Sequence, residues 1–359
     1  MMQAAWYERT GPAGEVLQLG ELETPRPGPG EDLVRVFASG INPSDTKIRA
    51  GWRGMAMGFP RVVPHSDGAG EIVAVGPGVD TARIATKVWI YNATALYGVP
   101  PTSLRAGPPE GERAPWGGPA TLYNASHAMG TAAQYCAVPA GQAIALPPGT
   151  DFAQGACFGV PACTAHRAVF SEGPVQGQTV LVQGGAGCVA HYAIQFAKLA
   201  GARVIATVSS AAKAEHAHAA GADETVVYTQ ENVVSRVLDL TQAQGVDRII
   251  EVDLGANLSI DVPLIKINGN IASYSSSAVP EPVFPYYPLA YKGVNLRLVQ
   301  GFNLPPDARA AAIHDLARWC EARLLRHAVG AIFSLAQIAQ AHESVEQRRV
   351  IGNVVLRID

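Results

Sequence analysis

The chain lacks any apolar run approaching the ~18 residues that span a bilayer. Its first residues, Met1 to Glu8, also lack the charged, apolar and small-residue succession of a signal peptide. Both absences lead to the expectation of a cytoplasmic protein with no membrane association. There is no block of Lys or Arg, and the formal charge is only −3, so the electrostatic footprint of a nucleic-acid partner is missing. Cysteine is scarce: Cys136, Cys157, Cys163, Cys188 and Cys320 are odd in number and form no C-x-x-C. They read as reduced structural thiols, which excludes a disulfide framework. What remains as partner is a small molecule or a cofactor.

What is present is length and apolar content. At 359 residues the chain exceeds the size at which one core keeps growing. With 48% hydrophobic and 16% charged residues it can fill two. From Thr179 to Tyr274 short β-branched runs alternate with Ala-rich helical stretches, the pattern of a parallel sheet wound with helices. The strands expected there are Thr179–Val182, Arg203–Val208, Thr225–Tyr228, Asp247–Val252 and Asn270–Tyr274. Before residue 150 the runs Asp32–Gly40, Gly70–Val75, Lys87–Tyr91 and Ala132–Val138 lie between Gly and Pro turns, as antiparallel strands do. After Tyr274 a strand at Asn295–Gln300, helices near Asp307–Arg326 and Leu335–Gln347, and a closing strand at Asn353–Ile358 are expected. A last strand of this kind can rejoin an early sheet. The domains are therefore read as 1–152 with 279–359, discontinuous and β-rich, and 153–278, α/β. The stretch Asn92–Gly130, with six Gly and six Pro, shows little periodicity and reads as a surface loop or an active-site cover.

The chemistry is announced after the strand Thr179–Val182, where Gln183-Gly184-Gly185-Ala186-Gly187-Cys188-Val189-Ala190 leads into an apolar helix. Gly185, Gly187 and Ala190 satisfy G-x-G-x-x-G/A: the glycines make the turn and admit a pyrophosphate, and the small third residue lets helix and strand pack. Phosphate would rest on the free amides of the helix N-terminus, from Gly185 through Val189. The next strand ends in Ser209-Ser210-Ala211-Ala212-Lys213, with no carboxylate before Glu215. An acid there would accept from a ribose 2′-OH, whereas hydroxyls and an ammonium suit a 2′-phosphate, so NADPH is expected over NADH. Ser209 and Ser210 also have the ordinary role of helix caps.

With this motif in place the chain resembles the medium-chain dehydrogenase/reductase superfamily, and within it the zinc-independent, zeta-crystallin-like quinone oxidoreductases. The carrying residues are Gly40-Ile41-Asn42-Pro43-Ser44-Asp45, Asp67-Gly68-Ala69-Gly70-Glu71, Gly159-Val160-Pro161-Ala162-Cys163-Thr164-Ala165 and the Gly-rich loop. The resemblance implies a GroES-like domain beside a Rossmann domain, with substrate in the cleft between them, and a homodimer formed through the Asn295–Gln300 strand. It places Asn42 near the nicotinamide as the catalytic residue, Thr164 by the carboxamide and Tyr228 on the adenine side. Gly255 and Ser273-Tyr274-Ser275 would close the carboxyl edge of the sheet. Each has a structural alternative: a turn before Pro43 for Asn42, a cap for Thr164, core for Tyr228. The zinc-ligand positions of metal-binding relatives fall on Asn42 and Ser66, poor ligands, so no metal is expected; neighbouring His65 reads as a turn or surface residue. Tyrosines common in the family after Asn-Pro-x-Asp are replaced here by Lys47, Trp52 and Arg53. The expected activity is NADPH-dependent reduction of a quinone or an α,β-unsaturated carbonyl. The alternative is a non-enzymatic NADPH-binding structural or RNA-associated protein.

Overall fold

The computed structural model describes residues 1–54, 57, 59–91, 127–302 and 304–359. The Gly- and Pro-rich stretch beginning at Asn92 lies, but for its last four residues, outside them. The chain forms two units, Met1–Val160 with Ala317–Asp359, and Pro161–Leu316.

The first unit opens with the hairpin of β1 (Met2–Trp6) and β2 (Gln18–Leu22), followed by β3 (Glu31–Ile41), β4 (Arg61–Val63), β5 (Asp67–Val75) and β6 (Lys87–Ile90). Then come β7 (His127–Met129), β8 (Tyr135–Pro139) and β9 (Ala143–Ala145). β3 is the organising strand: it pairs antiparallel with β5 and β8, and β5 in turn with β6. Val34, Ile72, Val88 and Val138 fill the core beneath these strands.

The second unit holds six parallel strands: β10 (Thr179–Val182), β11 (Arg203–Val208), β12 (Glu224–Val227), β13 (Val246–Glu251), β14 (Ile265–Ser273) and β15 (Asn295–Leu298). Their order, β12-β11-β10-β13-β14-β15, is that of a Rossmann sheet, with the switch of direction between β10 and β13. Leu181, Ile205, Val226, Ile249 and Ile271 form its core, the continuous apolar runs that a sheet covered on both faces requires.

The chain then returns to the first unit, where β16 (Val329–Ser334) pairs parallel with β17 (Asn353–Arg357) and β17 closes antiparallel on β3. The closing strand thus rejoins the early sheet, as its sequence suggested. The domain limits need correction. Residues 279–316 belong with the parallel sheet, because β15 hydrogen-bonds to β14 and extends it. Residues 153–160 belong with the β-rich unit, where the Val160 amide is bound by Asp67.

Candidate active site

In the second unit, parallel register brings the strand ends to one edge: Val182 aligns with Ala206 and Ile250, Val208 with Val227, and Glu251 with Ser273. The loops after β10, β11, β12, β13 and β14 therefore gather Gly184–Gly187, Ser209–Ser210, Tyr228, Gly255 and Ser273–Ser275 on the side where open α/β sheets bind ligands. The Gly-rich loop is pinned to its neighbour strand: the Gly185 amide donates to the Thr207 carbonyl at 2.8 Å and the Gly184 amide to Thr207 Oγ1 at 3.1 Å. A side chain at Gly185 would bring its Cβ within 2.7 Å of Ala206 Cβ, so only glycine lets the loop pass β11. Gly185 thus shapes the turn. The amides of Cys188 and Val189, in the first turn of the helix Cys188–Leu199, have no intrahelical acceptor and are the free donors. Ala186 lies between turn and helix, Gly187 is exposed at the N-cap, and Ala190 is buried against the sheet. Burial pushes the Cys188 thiol up to about 12, so it stays protonated.

At the end of β11, Ser210 caps the helix Ala211–Ala219 by accepting from the Lys213 amide. The Lys213 ammonium turns back to donate to Ser209 Oγ at 2.9 Å. The cap role and a cationic, hydroxyl-lined strand end therefore coexist. Tyr228 is 51% exposed, which removes the core alternative, and the next residue, Thr229, donates its hydroxyl to the Ser209 carbonyl. The Gly255 amide donates to Ser276 Oγ at 3.0 Å, and Ser273 Oγ donates to the Ser275 carbonyl at 3.0 Å, so both loops are internally braced. The Tyr274 amide donates to the Glu251 carbonyl; burial, with the nearby Glu251 and Cys188, keeps its phenol protonated. Thr164 is buried in the helix Cys163–Phe170, and its hydroxyl has no hydrogen-bond partner among the described residues. Such an orphan is costly unless a ligand satisfies it.

In the first unit, Asn42 is the N-cap of the helix Pro43–Ala50, a start favoured by Pro at its first position. Arg49 of that helix, buried, is paired with Glu346 and the Gly11 carbonyl, which anchors it against the helix Ile338–Glu346. The Asn42 amide N–H donates to Asp45 Oδ2 at 2.7 Å, and its side-chain Nδ2 donates to Asp67 Oδ2 at 2.8 Å. Asp67 also accepts from the Val160 amide, 2.9 Å from each carboxyl oxygen. Gly159 permits this, since a Cβ there would lie 2.1 Å from Asp67 Oδ1. Burial pushes Asp67 up to about 8, against the lowering by its Asn42 and Val160 donors. It pushes Asp45 up to about 7.

Residues 28–148 match the family model described as alcohol dehydrogenase GroES-like domain, and residues 188–318 the one described as zinc-binding dehydrogenase. The quinone oxidoreductase of Pseudomonas aeruginosa is 28% identical over 95% of both chains. The chain belongs to the medium-chain dehydrogenase/reductase family. The 2-haloacrylate reductase of a Burkholderia species is 26% identical over 99% of this chain and 98% of its own. A mycobacterial protein solved in complex with NADPH is 26% identical, with a TM-score of 0.80 over 99% of this chain and all of that one. The fold expectation, a GroES-like domain plus a Rossmann domain, is met.

Against the family pattern His65 needs correction. It is 1% exposed, with a left-handed φ of 79°, rather than a surface residue. Its Nδ1 meets Ser39 Oγ at 2.8 Å and its Nε2 meets His342 Nε2 at 2.8 Å. Thr131 gives its only hydroxyl proton to the Asp67 carbonyl and so accepts from Ser39; Ser39 then accepts from His65 Nδ1–H, and His65 Nε2 from His342. This directed chain fixes both tautomers and holds the main chain at Asp67, and burial keeps His65 neutral by lowering it to about 3. Among the described residues no group of three His, Cys, Asp or Glu could hold a metal ion. Trp52, where the family has tyrosine nearby, is flanked by the Lys47 ammonium and the Arg53 guanidinium, 5.0 and 5.7 Å from its ring.

Sequence reasoning missed the contact of Asp67 with Asn42, although an Asp opening a strand that continues Gly-Ala-Gly was a readable signal. It also missed the network behind the Gly-rich loop. Thr207 Oγ1 donates to Gln183 Oε1 at 2.6 Å, and Gln183 Nε2 to Asp261 Oδ1 at 2.9 Å. Burial pushes Asp261 and Glu251 both up, and for Asp261 the neighbouring Glu251 charge adds to the rise. A lone carboxylate in the apolar stretch Leu258–Leu264 was the available hint.

Proposed function

We propose that this protein is a cytoplasmic, homodimeric, metal-independent oxidoreductase that uses NADPH to reduce a quinone or the β-carbon of an α,β-unsaturated carbonyl. The observation that carries the reading is the end of β11. There, Lys213 and two serines stand where an NAD-specific fold needs a carboxylate, on the edge that also bears the Gly-rich loop. The relatives named quinone oxidoreductase and 2-haloacrylate reductase, and the NADPH-bound mycobacterial structure, support it.

When bound, NADPH supplies the hydride. The protein's residues do the rest. Gly185, Ala186 and Gly187 shape the pyrophosphate turn, while the Cys188 and Val189 amides hold its charge. Ser209, Ser210 and Lys213 take the 2′-phosphate, and Tyr228 offers its exposed ring to the adenine. The unsatisfied Thr164 hydroxyl takes the carboxamide. Gly255, Ser273, Tyr274 and Ser275 form the loops at the nicotinamide end. Asn42 donates from Nδ2 to the acceptor oxygen as charge builds there, and solvent delivers the proton.

Following NADPH absorbance with a panel of benzoquinones and enones tests the reading. Turnover is expected with NADPH, much less with NADH, and unchanged after dialysis against a chelator. No oxidation with either acceptor class defeats it, and zinc lost together with activity defeats its metal-free part.

A further inference from the structure

We propose that Asp67 is a positioning residue for this reaction: by engaging one Nδ2 proton of Asn42, it turns the amide so that the second Nδ2 proton is the one presented to the substrate oxygen. The inference rests on the role given to Asn42 above and adds what makes that role possible. An asparagine amide rotates easily and its two faces differ in sign, so a donor that must meet developing negative charge needs its flip decided beforehand. Here Asp67 decides it: the side-chain nitrogen, rather than the oxygen, is tied to Asp67 at 2.8 Å, while the Asn42 main chain is held separately by Asp45 at 2.7 Å.

Asp67 is itself built into place. It is fully buried, and a carboxyl there is expensive to the fold compared with an apolar residue. Its two oxygens are held by the Val160 amide at 2.9 Å, across the gap left by Gly159. Its own carbonyl is held by Thr131 at 2.6 Å. Because the amide is planar, the N–H engaged by Asp67 leaves the second Asn42 N–H a single direction. Replacement by asparagine keeps the shape but puts an NH2 donor in place of one of two oxygens that each lie 2.9 Å from the Val160 amide, so that donor faces donor in either orientation.

The test compares Asp67→Asn, Gly159→Ala and Asn42→Ala with wild type, using NADPH and 1,4-benzoquinone, with NADPH affinity measured separately by fluorescence. Misplacing a catalytic group by ~1 Å can cost about a hundredfold, so Asp67→Asn is expected to lower kcat ten- to a hundredfold with the NADPH Kd unchanged. Gly159→Ala, which displaces the carboxyl without altering its chemistry, should do the same. In the Asn42→Ala background neither change should lower kcat further. Multiplicative losses, an unchanged kcat, or a parallel loss of NADPH binding would overturn the proposal. The side-chain amide spectrum of selectively 15N-labelled asparagine gives a readout independent of activity: one Asn42 Nδ2 proton should be hydrogen-bond shifted in wild type and not in Asp67→Asn. If wild type oxidises no NADPH, the functional reading fails, and this spectrum alone decides whether Asp67 orients the amide; an unchanged Asn42 resonance rejects it.

Discussion

At the scale of single residues, Lys213 carries the clearest consequence. Its ammonium, already folded back onto Ser209, is the full positive charge at the end of β11. Hydrogen bonds to charged groups are worth roughly 1.5–3 kcal/mol, and ~1.4 kcal/mol is a factor of ten. Lys213→Ala should therefore weaken NADPH ten- to a hundredfold and leave NADH nearly unchanged; titration of both cofactors at one ionic strength checks it, and equal losses would contradict it. A second consequence concerns pH. Asp67 and Asp45, at about 8 and about 7, bind their protons more tightly folded than unfolded, where 3.8 applies. Their contribution is complete below that unfolded value and is lost as pH rises toward 8. Buried His65 and His342 are lowered from 6.5 and act in the opposite sense below it. Above pH 6.5 the carboxyls are left, and stability should fall. Thermal melts of Asp67→Asn should decline less between pH 6.5 and 8.5 than those of wild type, and parallel curves would refute the assignment. Asn42 was legible as a residue because Asn-Pro is a helix start and a family signature. Its partner was not, since Asp67 and Asn42 meet across paired strands, 25 positions apart.

At the scale of elements, the helix Cys163–Phe170 matters because it bears Thr164. Its C-terminal end and the turn after it are held by Arg248, a fully buried residue of β13 whose guanidinium reaches the Val169 carbonyl in the helix and those of Glu172 and Gly173 beyond it. The cation meets the negative end of the helix and ties it to the sheet. Arg248→Met would keep the aliphatic stem and remove every donor. Leaving a buried carbonyl unpaired costs roughly 1–3 kcal/mol, so the variant should melt several degrees lower and bind NADPH more weakly as the helix loosens. A melt equal to that of wild type would show the anchor to be dispensable. The strands β10 and β11 were readable to the residue from their β-branched runs. β16 went unread because its partner is β17, and β14 begins earlier than expected because pairing with β13 recruits Ile265 at its start. In both cases the deciding interaction was with a strand elsewhere in the chain.

At the scale of the whole molecule, β15 is the edge of the six-stranded sheet, and Leu298 on it is 70% exposed. Nearby in the chain Tyr287 and Tyr291 stack in the open at 67% and 81% exposure. An unpaired edge with apolar neighbours invites a second copy, and charge at such an edge blocks pairing. Leu298→Lys should shift the protein in sedimentation velocity from a dimer to the monomer mass of 37.6 kDa; a wild type already monomeric would sink the dimer. The sequence by itself determined the two fold classes, the Gly-rich turn with its helix, and the absence of an acid after β11. All of these are local, because periodicity, turn chemistry and caps are written within a few residues of one another. Tertiary structure decided the domain limits, the burial of His65, and the clamp of Gly159, Val160 and Asp67 on Asn42. Those depend on which distant backbones come close enough to exchange hydrogen bonds, and that proximity is set by strand order and packing rather than by neighbours in the chain.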